Sequence, residues 1–376
     1  MDWEAMEMVC SVDFWRMAVL WTLSLLYSYV LLMLKEPLSF FRRRPCRLSY
    51  TPHLGSRLRG LGKPICIITG GTSGLGAAAA RSLAGKGYCV VLAGRSPQLL
   101  SKIVDEIMEQ VEDAEVEAFV VDLSSTQSIM KFKSALEQWL SDSGSHFSVQ
   151  LLINNAGILA ATHRLTADGY DQMMETNYLG AFCLTNILLP LLKNSPVPSR
   201  IVNVTSFTHR CVSSAQVNGG DLVKTMYYLS SSKGYPFARV YEDSKFCLLL
   251  FTYELHRRLH MIQSPHKISV IAADPGVVDT KIMRELPPCL SRLAFKALLY
   301  LRLLQTPEAG IGAVVDAALA PPEASGLYFF GGQGRTIRSS ATSYNQKLAD
   351  ELWTSSLQLL CKANAELKLD GDFSAW

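Results

Sequence analysis

The segment ICIIT at residues 65–69 has the apolar, β-branched composition of a buried strand, and from its threonine the chain reads TGGTSGLG, Thr69 to Gly76. An alanine-rich stretch of helical length follows at once. Glycines at a strand-to-helix turn let the backbone come close to a pyrophosphate, which then rests on the helix N-terminus. The spacing here is GxxxGxG rather than GxGxxG. The pattern continues downstream in CVVLA (89–93), EAFVVDL (117–123), VQLLINN (149–155), RIVNVTS (200–206) and ISVIAA (268–273). Helical stretches separate these strands at Gln98–Val111, Gln127–Leu140, Tyr170–Leu192 and Ser244–Leu259. Alternation of this kind predicts an α/β fold, a Rossmann-type doubly wound parallel sheet. After about residue 280 the alternation fades, leaving a helix near 307–319 and a short strand in GLYFF, 326–330.

The end of the second strand chooses between nucleotides. A carboxylate there would bind a ribose 2′-hydroxyl and repel a 2′-phosphate. The chain has instead Gly94, Arg95 and Ser96. Arg95 can pair with a 2′-phosphate, so NADP(H) is expected and NAD(H) is the less favoured cofactor. The alternative for Arg95 is an ordinary solvated arginine. Asp122 and Leu123, closing the third strand, are placed to meet the adenine.

A second feature sits in RVYEDSK. Tyr241 and Lys245 are four residues apart, hence on one face of a helix. An ammonium beside a phenol favours the phenolate and lowers a pKa that starts near about 10. Such a pair suits proton transfer, although any charged helix supplies similar pairs by chance.

Taken together these residues resemble the short-chain dehydrogenase/reductase family. Thr69 to Gly76, including Thr72, Ser73, Gly74 and Leu75, match its TGxxxGxG motif. Asn154, Asn155, Ala156 and Gly157 match NNAG, and Tyr241 with Lys245 matches YxxxK. The run Asp274 to Thr280 looks like the family's PG segment, with Pro275, Gly276, Val278 and Thr280. The resemblance covers roughly residues 64 to 335. It implies that Tyr241 is the general acid/base and that Lys245 lowers its pKa and holds the nicotinamide ribose. It implies further that Ser206 binds the substrate oxygen, with Thr205 as the near alternative, and that Asn177 completes a proton relay through water. Thr280 would meet the nicotinamide amide. Ser206 and Tyr241 are 35 residues apart because of an inserted stretch, 211–238. That length, with YPFARVYEDSK, looks like the retinol-dehydrogenase-like branch. LLQTPEAGIGAVVDAAL and SYNQKLADELW point within it to polyisoprenoid alcohols and aldehydes, with retinoids or steroids as runners-up. A catalytically silent redox-sensing or scaffold protein is the reading from another class, and the complete set of site residue types disfavours it.

The chain's 376 residues are 49% hydrophobic and 18% charged, and the apolar excess is concentrated near the start. Met17 to Leu34 contains no charge and is about the minimum length for crossing a bilayer. The residues before it are acidic and no small-residue cleavage site follows, unlike a signal peptide. Lys35, Arg42, Arg43, Arg44 and Arg47 come next, and positive flanks stay cytoplasmic. Residues 1–34 are therefore expected to be a single-pass anchor in the endoplasmic reticulum, with a cytosolic catalytic domain. Residues 35–62 form a basic linker, 63–335 the catalytic domain and 336–376 a C-terminal extension. A net charge of +3 is too small to argue for nucleic acid. Nine scattered cysteines show no metal spacing and fit a reducing compartment. Expected partners are a lipophilic small-molecule substrate and membrane lipid, and the family pattern is compatible with a homodimer. The stretch Ile282–Leu304 alternates apolar residues with Arg284, Arg292, Lys296 and Arg302. Two readings stand for it: a surface that dips into headgroups or lids the pocket, or an ordinary amphipathic helix packed on the domain.

Overall fold

The computed structural model describes residues 11–41, 62–143, 147–212, 234–261 and 268–367. Residues 42–61 of the basic linker and 213–233 of the inserted stretch lie outside these, as do Cys10 and Cys46.

Seven parallel strands and one antiparallel edge strand form the main sheet. In chain order they are β1 (Ile65–Thr69), β2 (Cys89–Gly94), β3 (Glu115–Val120), β4 (Leu151–Asn154), β5 (Arg200–Val204), β6 (Ser269–Asp274), β9 (Tyr328–Phe330) and β10 (Thr336–Ile337). A separate two-stranded ribbon joins β7 (Val277–Val278) to β8 (Leu304–Gln305). The main sheet runs β10-β9-β6-β5-β4-β1-β2-β3. The order reverses between β1 and β4, and in such sheets ligands bind beyond the carboxyl ends of the strands at that point. β1, β2, β4, β5 and β6 are buried throughout, as parallel strands covered on both faces must be. Alternate residues of β1 feed opposite layers: Ile65 and Ile67 one core, Cys66 and Ile68 the other. β3 is the free edge. It exposes Glu115 and Glu117, charges that discourage pairing with another chain.

The expected strands are all present, with boundaries shifted by a few residues. EAFVVDL is the largest shift, because β3 begins at Glu115 and ends at Val120. The single helix expected over 170–192 is three pieces: α5 (Gln172–Met174), a π-helical turn (Glu175–Leu179) and α6 (Gly180–Lys193). The helix of Tyr241 and Lys245, α7, begins earlier than expected and spans Phe237–Met261. Residues beyond 335 continue the fold. β10 closes the sheet edge, and α11 (Gln346–Leu367) packs on α7 and puts Trp353 between Phe182 and Phe251, at 5.1 and 5.8 Å between ring centroids.

The N-terminal helix, α1 (Val12–Phe41), is apolar and long enough over Val12–Leu34 to cross a membrane. Its two faces differ. Met17, Leu25, Ser28 and Leu32 are buried against the domain and Trp21 is half-buried with them. Val12, Trp15, Val19, Leu23, Leu26, Val30 and Met33 are exposed. Both sets recur at intervals of three or four residues, so each is a stripe along one side of the helix. α8 (Pro288–Tyr300) buries none of its residues, and Leu293, Leu299 and Tyr300 are exposed. Its own Leu298, with Leu303 just beyond it, packs on the cluster that contains Leu25 and Leu32 of α1.

Candidate active site

The turn after β1 leads into α2 (Gly74–Ala84). A Cβ on Gly76 would fall 2.3 Å from the Gly70 carbonyl oxygen. Gly70 itself has φ +67°, and a Cβ there would lie 2.9 Å from the Ala156 Cα. Only glycine fits either place. Hydrogen bonds tie this turn to the segment after β4. The Asn155 and Ala156 amides each donate to Thr69 Oγ1 at 3.0 Å, and Asn155 Nδ2 donates to the Thr69 carbonyl at 2.8 Å. Thr69 and Asn155 thus hold the two motifs together across the switch point. Ser73 is the exposed N-cap of α2, and Thr72 lies under Gly94, where a Cβ would meet its Cγ2 at 3.0 Å. That contact brings the exposed Arg95 beside the glycine turn.

The remaining cofactor candidates ring the same crevice. Gly74 faces Thr280, whose Cγ2 would lie 3.0 Å from an added Cβ. Leu75 and Val278 both border Gly310 in α9 (Pro307–Gly310). The Pro275 carbonyl accepts from Gln305 Nε2 at 2.8 Å, and Gly276 turns with φ +74°. Asp122 uses its Oδ1 locally, accepting from the Ser124 amide and hydroxyl. Leu123 packs on Gly180. The paired motifs, the crowded glycines and the helix N-terminus fit a dinucleotide. Thr69 to Gly76 would hold its pyrophosphate, Arg95 its adenosine ribose and Pro275 to Thr280 its nicotinamide end.

Four side chains converge beyond β5. Ser206 caps the 3-10 turn Phe207–Cys211, its hydroxyl accepting from the Thr208 amide at 3.3 Å, and it lies near enough to the Tyr241 phenol to favour its ionised form. Thr205 donates to the Lys245 carbonyl at 3.2 Å, so its hydroxyl is committed to the α7 backbone. Lys245 Nζ donates to the Val204 carbonyl at 3.0 Å. Asn177 is set by the π-helical turn: its Oδ1 accepts from the Ile158 amide at 2.8 Å, and its Nδ2 donates to the Ile158 carbonyl and to Ser244 Oγ at 2.9 and 3.0 Å. Such turns widen a helix locally and recur at functional sites. Gly157 lies between them. A Cβ there would sit 3.3 Å from Lys245 Nζ and 3.4 Å from Asn177 Oδ1.

Electrostatics differ from the expected lowering of the phenol. Burial is the largest influence on Tyr241 and raises its pKa, Asp274 raises it further, and the Ser206 side chain works the other way. Burial lowers Lys245 to about 8, while Asp274 pulls it back up. Asp274 is itself raised to about 6 by burial, offset by hydrogen bonds from Tyr328 Oη at 2.6 Å and the Gly276 amide at 2.8 Å. Lys245 therefore titrates near neutrality beside a buried carboxyl.

Three residues of the site had no role assigned from sequence. Asp274, which opens the PG segment, is one. His209 is another: the Ser340 amide donates to its Nε2 at 3.1 Å, leaving Nδ1 to donate to the Ser206 carbonyl at 2.7 Å. Burial lowers it to about 3, so it is neutral and steadies the Ser206 backbone. The third is Glu242, adjacent to Tyr241 in the chain. It is buried and accepts from Arg16 and Trp21 of α1.

The short chain dehydrogenase family profile matches residues 64–218. Polyprenol dehydrogenase of Homo sapiens is 36% identical over 78% of this chain and 84% of its own length. The chain belongs to the short-chain dehydrogenase family. Retinol dehydrogenase 12 of Homo sapiens is 32% identical over 79% of this chain and 86% of its own. Among solved structures, an uncharacterised protein from Mycobacterium Paratuberculosis aligns with a TM-score of 0.59 at 28% identity, covering 80% of this chain and 94% of that one. An angucycline C-6 ketoreductase with bound NADP shares the fold with a TM-score of 0.57 at 21% identity, over 73% of this chain and 96% of that one. The protein is accordingly an oxidoreductase that interconverts an alcohol and its carbonyl with a nicotinamide dinucleotide, on a small-molecule substrate.

Proposed function

We propose that this enzyme oxidises or reduces a lipophilic alcohol–carbonyl pair, polyisoprenoid in the first instance, with NADP(H). The observation that carries the reaction is the convergence of Tyr241, Ser206, Lys245 and Asn177 at the carboxyl ends of the strands, with Lys245 Nζ 5.8 Å from the Tyr241 ring centroid. In this reading Ser206 orients the substrate oxygen. Tyr241 takes its proton during oxidation and returns it during reduction. Lys245, tied to the Val204 carbonyl, supplies positive charge beside the phenol and would grip the nicotinamide ribose. Asn177 would link the proton to solvent. The cofactor supplies the hydride acceptor or donor, and the protein supplies position and charge.

Support for the lipid substrate comes from the polyprenol dehydrogenases, 33–36% identical to this chain, and from the apolar outer stripe of α1. We take α1 to hold the catalytic domain at an endomembrane, the endoplasmic reticulum by preference, on the cytosolic side. The inner stripe of the helix stays on the domain from Asp13, paired with Arg239, to Leu32. A free crossing of the bilayer would release those contacts, so the arrangement favoured is a helix lying in the membrane surface with its outer stripe in lipid. The retinol dehydrogenases, 31–32% identical, support retinoids as the second candidate substrate.

Purified full-length protein in detergent can be offered NADP or NADPH with polyprenol, a polyisoprenoid aldehyde, retinal, a ketosteroid and a small soluble carbonyl in parallel. Fastest turnover is expected on the polyisoprenoids. Turnover of the soluble carbonyl with none of any lipid would overturn the substrate reading. NADP(H) should be preferred over NAD(H) by at least roughly tenfold, because an arginine–phosphate pair is worth a few kcal/mol. Arg95→Asp should shrink or invert that preference. An enzyme already indifferent to the phosphate would sink this role for Arg95.

A further inference from the structure

We propose that α1 is a working part of the active site as well as an anchor, with Trp21 a specificity-determining residue on the flank of Tyr241. Glu242 follows Tyr241 in α7, and its side chain faces α1. There the Trp21 indole Nε1 donates to Glu242 Oε1 at 2.7 Å, while Arg16 donates to both carboxylate oxygens at 3.2 and 2.7 Å. The Glu242 side chain is 2% exposed and that of Arg16 20%, so the pair is shielded from solvent on the carboxylate side. Two-pronged arginine contacts fix direction as well as distance. The indole is thereby held with its ring 5.7 Å from the Tyr241 ring, the planes inclined by 44°.

Further along the helix the docking continues without a gap. Ser24 Oγ lies 3.3 Å from Cys211 Sγ, at the end of the turn that Ser206 caps. Ser28 Oγ accepts from Arg210 Nε at 3.1 Å, and the Tyr29 ring meets Phe330 at 5.2 Å. One helix thus touches both segments that carry the reacting hydroxyls: the Ser206 turn and the first turns of α7. Trp21, Tyr235, Phe237, Ile282 and Met283 are half-buried residues packed on the one large core cluster that includes Tyr241. An apolar substrate reaching Tyr241 would run along this surface. Trp21 supplies apolar area, and the Arg16–Glu242 latch sets where that area lies. The inference about Trp21 and substrate class rests on the lipid reading above, but the docking of α1 does not.

Two experiments on the full-length protein in vesicles of neutral phospholipid separate these claims. The first tests docking alone. Ser24→Cys places a thiol beside the native Cys211, and mild oxidation with diamide should join them into a disulfide. The cross-linked enzyme should keep its turnover within twofold, measured on whichever alcohol the unmutated protein uses best. Failure to cross-link, or loss of activity restored by reductant, would show that the docked helix is not the working arrangement. The second tests specificity. Trp21→Ala should lower kcat/KM for a long apolar alcohol at least tenfold and for a short soluble alcohol less than threefold, with NADP(H) affinity and vesicle binding unchanged. Arg16→Glu should weaken the same parameter, while Arg16→Lys, which keeps a cation beside Glu242 and leaves the carboxylate to accept from Trp21, should hold it within threefold. Equal losses on both alcohols, or equal effects of the two Arg16 substitutions, would reduce α1 to a structural support. Cross-linking with no lipid turnover by the unmutated protein would instead remove the substrate reading and leave the docking intact.

Discussion

Single residues at this site are tuned by burial more than by neighbours. Glu175 opens the π-helical turn that presents Asn177, and its side chain is buried. Burial raises its pKa from an ordinary 4.5 to about 8; a hydrogen bond with Thr166 partly offsets this, and Asp168 and Asp122 add to it. The folded state therefore holds a proton that the unfolded chain releases near pH 4.5. Below that pH both states are protonated and nothing is lost. As pH rises from about 4.5 toward 8 the unfolded chain ionises alone, and stability falls by about 1.4 kcal/mol per unit of difference at most. Glu175→Gln keeps the shape without the proton. It should raise the urea midpoint at pH 8 and flatten its decline between pH 5 and 8. An unchanged profile would mean that Glu175 is ionised in the fold. Asp274 and Lys245 show the same principle at the chemistry: burial moves each toward its uncharged form, and each pulls the other part of the way back toward its charged form.

The elements carry different amounts of information in their sequence. The turn after β1 was legible because its geometry admits only glycine at Gly70 and Gly76. β1, β2, β4, β5 and β6 were legible because parallel strands buried on both faces read as unbroken apolar runs. The π-helical turn was not, since a one-residue widening leaves no composition signature. Glu242 and His209 looked like ordinary polar residues; their partners are more than 100 residues away in sequence, in α1 and at Ser340. α11 read as an appendage because its amphipathic pattern does not say what it packs on. Its weight in the fold can be measured. Trp353 is 2% exposed and stacks with Phe251. Trp353→Ala should cost about 3–5 kcal/mol in urea unfolding, the usual range for emptying a buried aromatic site. A loss under about 1 kcal/mol would mean that α11 contributes little to the core.

At the scale of the whole molecule, one apolar helix serves two surfaces. The inner stripe of α1 packs on the domain, while its outer stripe and Leu293, Leu299 and Tyr300 of α8 are exposed, the apolar surface we propose for lipid. The basic residues of α8, Arg292 and Lys296, suit headgroup level beside it. Because the inner contacts run nearly the length of the helix, residues ahead of Val12 should remain on the same side of the membrane as the catalytic domain. An N-glycosylation acceptor fused before Met1 should stay unmodified in microsomes, and protease added outside should digest both the acceptor and the domain. Modification of the acceptor would mean that α1 crosses the bilayer and leaves its place on the domain.

The central claim is that Tyr241 moves the substrate proton, oriented by Ser206 and charged by Lys245. The direct measurement is single-turnover hydride transfer between NADP(H) and a polyisoprenoid alcohol or aldehyde, compared for the full-length enzyme and Tyr241→Phe, with cofactor affinity recorded for both. The substitution removes only the hydroxyl, and the ring keeps its packing. The account predicts a loss of at least about a hundredfold in the chemical step, the contribution of a positioned general acid/base, with cofactor affinity within about threefold (roughly 0.7 kcal/mol). Hydride transfer within about tenfold of the unmutated enzyme (roughly 1.4 kcal/mol) would contradict it and remove Tyr241 from the reaction.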